Sequence, residues 1–268
     1  HKILLTINMH KAYTTTTGNH KARKRFGQNF LIDTKIVDRI VATIAPKAED
    51  NLLEIGPGQG AMTLPLLEKL NQLHVIEIDR DLIGLLESLD KDNLIIHQGD
   101  AMKFDLSTLP TPIRVVGNLP YNISSPILFH LLENRALVED MTFMLQKEVV
   151  ERMVASHGNK TYGRLSVMMQ AFFEVELIFI VPPASFNPAP KVDSAIVYLK
   201  PLTQSLVSDV AIFEKVVKAA FAQRRKTLRN CLKSLLTQEQ TSIDLSQRAE
   251  MLSVSDFIKL TQDYEKQH

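Results

Sequence analysis

The residues whose types could do chemistry fall in a few short stretches. Asn118-Leu119-Pro120-Tyr121 follows the apolar run Ile113–Val116 and Gly117. Gly, Asn and Pro are ordinary turn residues, so a strand stopping in a turn is expected there. A turn alone gives no reason to hold a large flat ring beside a carboxamide with a stiff Pro. Upstream, Glu54-Ile55-Gly56-Pro57-Gly58-Gln59-Gly60 separates an apolar strand from a helical pattern. Glycine-rich strand-to-helix turns let a ligand approach the main chain closely, though a tight structural turn uses the same residues. No Gly-Lys-Ser/Thr is present, so a triphosphate cradle is not expected. Glu77 ends the next strand, where a carboxylate can accept both ribose hydroxyl protons, and Asp100 follows the strand after that. One such acid reads as a helix cap. Three in step, Glu54, Glu77 and Asp100, point to a nucleoside-containing ligand. A nicotinamide dinucleotide and S-adenosylmethionine both fit. The dinucleotide needs room for its pyrophosphate at the helix N-terminus. It also needs a hydride-handling group, and no Tyr-Lys pair or suitable His stands near the strand ends.

The elements that must position these residues alternate. Helical stretches at 36–44, 61–70, 81–89 and 126–133 interleave with apolar strands at 52–55, 73–76, 94–97, 113–116 and 141–145. Such alternation predicts an α/β fold, a parallel sheet covered on both faces. After a helix near 164–173 the rhythm changes. Strands at 175–181 and 195–199 have no helix between them, which predicts an antiparallel hairpin at one edge of the sheet. Residues 201–208 read as a linker. Beyond it, 209–236 and about 246–265 are helical by period, a module too small to bury a generous core alone. The expected division is a flexible leader over 1–19, a ligand-binding domain over 20–204 and a small helical domain over 205–268.

At 268 residues with 45% apolar content, the chain has the composition of a soluble globular protein. No apolar stretch approaches the roughly 20 residues of a membrane span, and the start lacks a secretory signal pattern. The chain opens on His1, and Met9 is a candidate natural start, with residues 1–8 foreign to it. A single Cys231 excludes an internal disulfide framework and a cysteine-based zinc cluster, and a reducing, cytoplasmic setting is expected. Net charge is only +1, yet it is unevenly spread. Residues 1–49 hold nine Lys/Arg against three Asp/Glu, 50–145 hold six against fourteen, and 206–234 hold seven against two. This distribution suits a polyanionic partner touching selected faces; solvated helix faces are the plain alternative.

Asn118 to Tyr121 resembles the Asn/Asp-Pro-Pro-Tyr type motif of adenine amino-group methyltransferases. Together with Gly27-Gln28-Asn29-Phe30-Leu31, Glu54 to Gly60, Gly117 to Ser124 and Phe186 to Ser194, the match narrows. From about His20 to Leu260 the chain resembles the bacterial small-subunit (16S) ribosomal RNA adenine N6-dimethyltransferase family, the dimethyladenosine transferases. The resemblance implies a Rossmann-like class I S-adenosylmethionine-dependent sheet with a small C-terminal α-helical domain. It implies an enzyme that dimethylates two adjacent adenosines near the 3′ end of 16S rRNA, with a role in small-subunit biogenesis. The implied cofactor is S-adenosylmethionine and the implied partner the small ribosomal subunit; a monomer is expected, with no membrane partner and no metal.

Residue by residue, the resemblance gives Gln28, Asn29 and Leu31 to the closing of the cofactor's methionine end. Gly56 and Gly58 approach that end, Glu77 holds the ribose, and Asp100 accepts from the cofactor's adenine amino group. Asn118 and the Leu119 carbonyl face the target amino group, Pro120 stiffens the turn, and Asn118 also borders the cofactor. Tyr121 stacks on the target base, and Phe186 forms the opposite wall. Arg23, Lys24, Arg25, Lys147, Arg152, Arg224, Arg225, Lys226 and Arg229 are the implied RNA contacts, with Lys160, Arg164 and Lys233 beside them. A macrolide-resistance enzyme acting on large-subunit RNA is the near rival. That family more often shows Asn-Ile-Pro-Tyr, and Gly163-Arg164-Leu165-Ser166 here is more like the small-subunit enzyme. A non-catalytic assembly factor on the same fold is a second alternative.

Overall fold

The computed structural model describes residues 28–268; Arg23, Lys24, Arg25 and the leader lie outside them. The strands are β1 (Phe30–Leu31), β2 (Asn51–Ile55), β3 (Leu73–Glu77), β4 (Leu94–Gln98), β5 (Ile113–Asn118), β6 (Val138–Gln146), β7 (Phe173–Val181), β8 (Phe186–Asn187) and β9 (Ser194–Pro201). The helices are α1 (Thr34–Ile44), α2 (Thr63–Leu67), α3 (Arg80–Glu87), α4 (Ser124–Glu133), α5 (Lys147–Val154), α6 (Arg164–Gln170), α7 (Val210–Ala220), α8 (Leu228–Cys231) and α9 (Val254–Glu265).

Seven strands form one sheet in the order β4-β3-β2-β5-β6-β9-β7, parallel from β4 to β6 and antiparallel at β9 and β7. The chain runs outward from β2 through β3 to β4, then returns to place β5 on the other side of β2. That reversal opens a crevice at the carboxyl ends of β2 and β5, where ligands bind in such sheets. The antiparallel pair of β7 and β9 is present, but β9 lies inside, between β6 and β7. Only β7 is an edge.

Alternating side chains divide the core between the two faces. Leu52, Val116, Met144 and Ile196 pack with Val37, Ile40, Val41 and Ile44 of α1 and Leu66 of α2. Those α1 positions recur at helical spacing, and the Asp33 carboxylate caps the helix by accepting from the Lys35 and Ile36 N–H groups. On the other face, Leu53, Val115, Phe143 and Val197 share one cluster with α4 and with Phe213, Leu228, Leu232, Phe257 and Leu260. The C-terminal helices are thus built onto the sheet's own core.

The predicted helix over 209–236 is not continuous. α7 stops at Ala220, turns occupy 221–227, and α8 restarts at Leu228. The Leu228 and Arg229 N–H groups donate to the carbonyls of Gln247 and Leu245 rather than to α7. Among the described residues, no helix is long and apolar enough to cross a membrane.

Candidate active site

The crevice holds a cavity of about 240 Å³ lined by Gln28, Asn29, Leu31, Gly56, Gly58, Glu77, Asp100, Asn118, Leu119, Pro120, Tyr121 and Phe186. Every site residue predicted within the described chain, the RNA contacts apart, therefore reaches one space. The glycine turn after β2 has positive φ at Gly56 (65°) and Gly58 (57°), which glycine adopts without steric cost. A Cβ at Gly58 would also sit 3.3 Å from the Phe30 ring. The main chain can thus face the cavity at close range.

The acids hold different positions. Glu77 is the last residue of β3, and its Oε1 accepts from the Ile78 and Asp79 N–H groups at 2.9 and 3.0 Å. Burial, opposed by these bonds and by one from the Gly58 N–H, pushes its carboxyl above the usual range. Asp100 lies two residues past β4 and accepts from the Met102 N–H at 3.0 Å, so it orders its own turn while lining the cavity. Glu54 is inside β2 rather than after it. It is 1% exposed and accepts from Thr63 Oγ1 at 2.7 Å. Burial raises its pKa to about 7, offset in part by Thr63 and reinforced by the charge of Glu77.

The turn after β5 is held closely. A Cβ at Gly117 would lie 2.5 Å from the Ile55 carbonyl oxygen, so only glycine lets β5 pass β2 here. The Asn118 Nδ2 donates to the Asn29 carbonyl at 3.3 Å. A carbonyl can only accept, so the amide's NH₂ must face it and Oδ1 is turned away. The Leu119 N–H donates to the Met144 carbonyl, the Pro120 carbonyl accepts from the Ile123 N–H, and the Tyr121 carbonyl accepts from Ser124 Oγ. Neither Asn118 Oδ1 nor the Leu119 carbonyl accepts a hydrogen bond from a described residue. Two neutral acceptors on cavity-lining residues are therefore unengaged, in the same turn as Tyr121, which is 64% exposed.

A short ribbon borders the space from the other side. β1 pairs antiparallel with β8, setting Leu31 opposite Phe186 and Phe30 opposite Asn187. Phe186 is buried at the cavity wall. The Gln28 Nε2 donates to Asp79 Oδ2 at 3.1 Å, tying the ribbon's start to the acid that caps α3. Sequence reasoning passed over Asp79, which is buried; its offset of two from Glu77 and its place before α3 were the available signals.

S-adenosylmethionine suits this donor set. A buried carboxylate at the end of β3 matches a ribose diol. The apolar Ile78, Ala101 and Met102 beside Asp100 match a purine ring. The glycine turn leaves main chain, not side chains, around the remainder.

The basic residues separate into groups. Lys147 and Arg152 lie on α5, where they pair with Glu151 and Glu148. Arg164 pairs with Glu214 and lies over the Phe129 ring, a structural setting. Arg224, Arg225 and Lys226 lie in the exposed turn between α7 and α8, not on a helix as predicted. Arg224 donates to the Lys160 carbonyl, joining that turn to the loop before α6. Arg229 is exposed on α8, near the charges of Glu239 and Asp244.

A family model for ribosomal RNA adenine dimethylase matches residues 19–266. A ribosomal RNA small subunit methyltransferase A from Aromatoleum aromaticum is 56% identical over 248 residues, 90% of this chain and 94% of that protein. The protein so named from Pseudomonas syringae pv. syringae is 54% identical, with coverages of 90% and 94%. Among solved structures, a dimethyladenosine transferase from Plasmodium falciparum has a TM-score of 0.76 at 30% identity, covering 88% of this chain and 98% of that one. The 23S rRNA methyltransferase ErmE has a TM-score of 0.69 at 26% identity, with coverages of 88% and 100%.

Proposed function

The chain belongs to the ribosomal RNA adenine dimethylase family, and we propose that it methylates the N6 amino groups of two adjacent adenosines in the 3′-terminal hairpin loop of 16S rRNA. The product is dimethyladenosine, the donor S-adenosylmethionine, and the setting small-subunit biogenesis in the cytoplasm, by a monomer. Residues 20–204 carry the chemistry, and 205–268 contact the ribosomal subunit. The near relatives cited are named for the small subunit, at 54–56% identity. The large-subunit enzyme is similar at 26%, which disfavours that alternative.

One feature carries the assignment: the two unengaged neutral acceptors, Asn118 Oδ1 and the Leu119 carbonyl, beside an exposed aromatic ring. An exocyclic adenine nitrogen is a poor nucleophile because its lone pair is delocalised into the ring. Two acceptors aimed at its hydrogens favour a tetrahedral nitrogen with a localised pair. Tyr121 stacks on the base, worth about 1–3 kcal/mol, and Phe186 walls the other side. Neither acceptor is basic, so the proton passes to solvent once the nitrogen is cationic. The chain contributes positioning and electrostatics rather than general-base chemistry. Bound S-adenosylmethionine supplies the electrophilic methyl group. Glu77 holds its ribose, Asp100 its adenine amino group, and Gly56, Gly58, Gln28, Asn29 and Leu31 surround its methionine end. Phosphate contacts by Arg23, Lys24, Arg25, Lys147, Arg152, Arg224, Arg225, Lys226 and Arg229 set the register, while the flipped adenine is read in the pocket.

Incubation with labelled S-adenosylmethionine and undermethylated small subunits, followed by mapping of the label, tests this. Label is expected on two adjacent adenosines. Label confined to large-subunit RNA would establish the rival, and none on any RNA adenine would leave a binding factor.

A further inference from the structure

The β1–β8 ribbon is only two residue pairs long, too short to hold itself together. One of its ties to the body is Ser185, 1% exposed, immediately before β8. Its carbonyl accepts from the Ile32 and Asp33 N–H groups at 2.9 and 3.3 Å. Its Oγ donates to Asp33 Oδ2 at 3.0 Å. The other Asp33 oxygen caps α1, accepting from the Lys35 and Ile36 N–H groups at 3.1 and 3.4 Å. One carboxylate therefore locks both the helix that follows β1 and the loop that delivers β8.

The ribbon touches three parts of the site. Gln28 bonds Asp79, beside the ribose acid. The Asn29 carbonyl orients the Asn118 amide. Leu31 lies opposite Phe186 across the ribbon. A change in position on one side of the ribbon must be felt on the other, because packed elements shift as units.

We infer that Ser185, through Asp33, is a positioning residue that couples the two halves of the cavity, so that a filled cofactor half tightens the target-base half and the reverse. This rests on the assignment of the halves given above. Coupling between two sites is reciprocal, so either ligand reports it.

The test uses S-adenosylhomocysteine, which cannot donate a methyl group, and undermethylated small subunits. In the parent protein, saturating subunits are expected to tighten S-adenosylhomocysteine binding by about 5-fold or more. In Ser185→Ala that enhancement is expected to fall to less than about 2-fold, with affinity in the absence of subunits unchanged; a residue that only supports the fold would weaken both together. Asp33→Ser keeps a good helix cap but is too short to reach Ser185. It should lose the coupling too, and it carries the test if Ser185→Ala does not fold. Enhancement retained in a folded variant overturns the inference. So does a parent that methylates subunits yet shows no enhancement. A parent that methylates no RNA overturns the functional assignment instead.

Discussion

Asn118 contributes through the direction its amide faces. The Asn29 carbonyl takes its NH₂, which leaves the oxygen for the proposed target. Asn118→Ala removes that acceptor without touching Glu77 or the glycine turn. Methyl transfer is expected to fall about 100- to 1,000-fold, as for loss of one preorganised hydrogen-bonding group. Cofactor affinity, measured by calorimetry, should be nearly unchanged. Glu54 makes a separate prediction. Its pKa rises from 4.5 to about 7 because burial penalises the carboxylate. The folded protein then holds this proton more tightly than the unfolded chain, so the contribution to stability is full below 4.5 and is lost as pH rises through 7. Glu54→Gln still offers Thr63 an acceptor and has no proton to lose. Its melting temperature relative to the parent should be lowest near pH 4.5, climb through pH 7 and level off above. An upper bound on the relative gain is on the order of 3 kcal/mol. A pH-independent difference between the two would show that Glu54 keeps an ordinary pKa.

At the scale of elements, Gly117 sets how closely β5 and β2 approach. Gly117→Ala would drive a Cβ to within 2.5 Å of the Ile55 oxygen, which is main chain and cannot swing aside as the Leu119 Cδ2, 3.3 Å away, can. Urea unfolding is expected to register a loss of about 1–3 kcal/mol or more. Activity should fall further still, since a displacement of about 1 Å at reacting groups can cost about 100-fold. An unchanged urea midpoint would mean that the strands separate freely. The parallel strands were legible because each is a short apolar run between turn residues, and Asn118, Glu77 and Asp100 stood at their ends. The β1–β8 ribbon left no such trace. Two residues make no periodicity, and Leu31 and Phe186 are far apart in sequence. The break at 221–227 was hidden for a different reason. Ala222, Gln223, Arg224, Arg225 and Lys226 all suit a helix, but the Leu228 and Arg229 N–H groups find tertiary acceptors instead.

Across the whole molecule, a net charge of +1 cannot by itself draw a polyanion to the protein. Attraction must come from where the charges stand. The acids are concentrated in 50–145, where Glu54, Glu77 and Asp100 line the cavity, and the exposed turn at Arg224, Arg225 and Lys226 lies between the C-terminal helices α7 and α8. Those helices share one core with the sheet, so the turn is anchored at both ends to the body that holds the pocket. Lys147 and Arg152, by contrast, are partly neutralised by Glu151 and Glu148 on their own helix. Each phosphate contact contributes about 0.7–0.9 to the slope of log affinity against log salt. Substituting Arg224, Arg225 and Lys226 together by Ala should therefore flatten that slope by about 2 for subunit binding. Substituting Lys147 and Arg152 should flatten it less than two independent contacts would. The side chains at 224–226 are exposed and only Arg224 makes a described contact, so the fold and S-adenosylhomocysteine affinity should survive the triple change. A slope equal to that of the parent would remove this turn from the RNA interface.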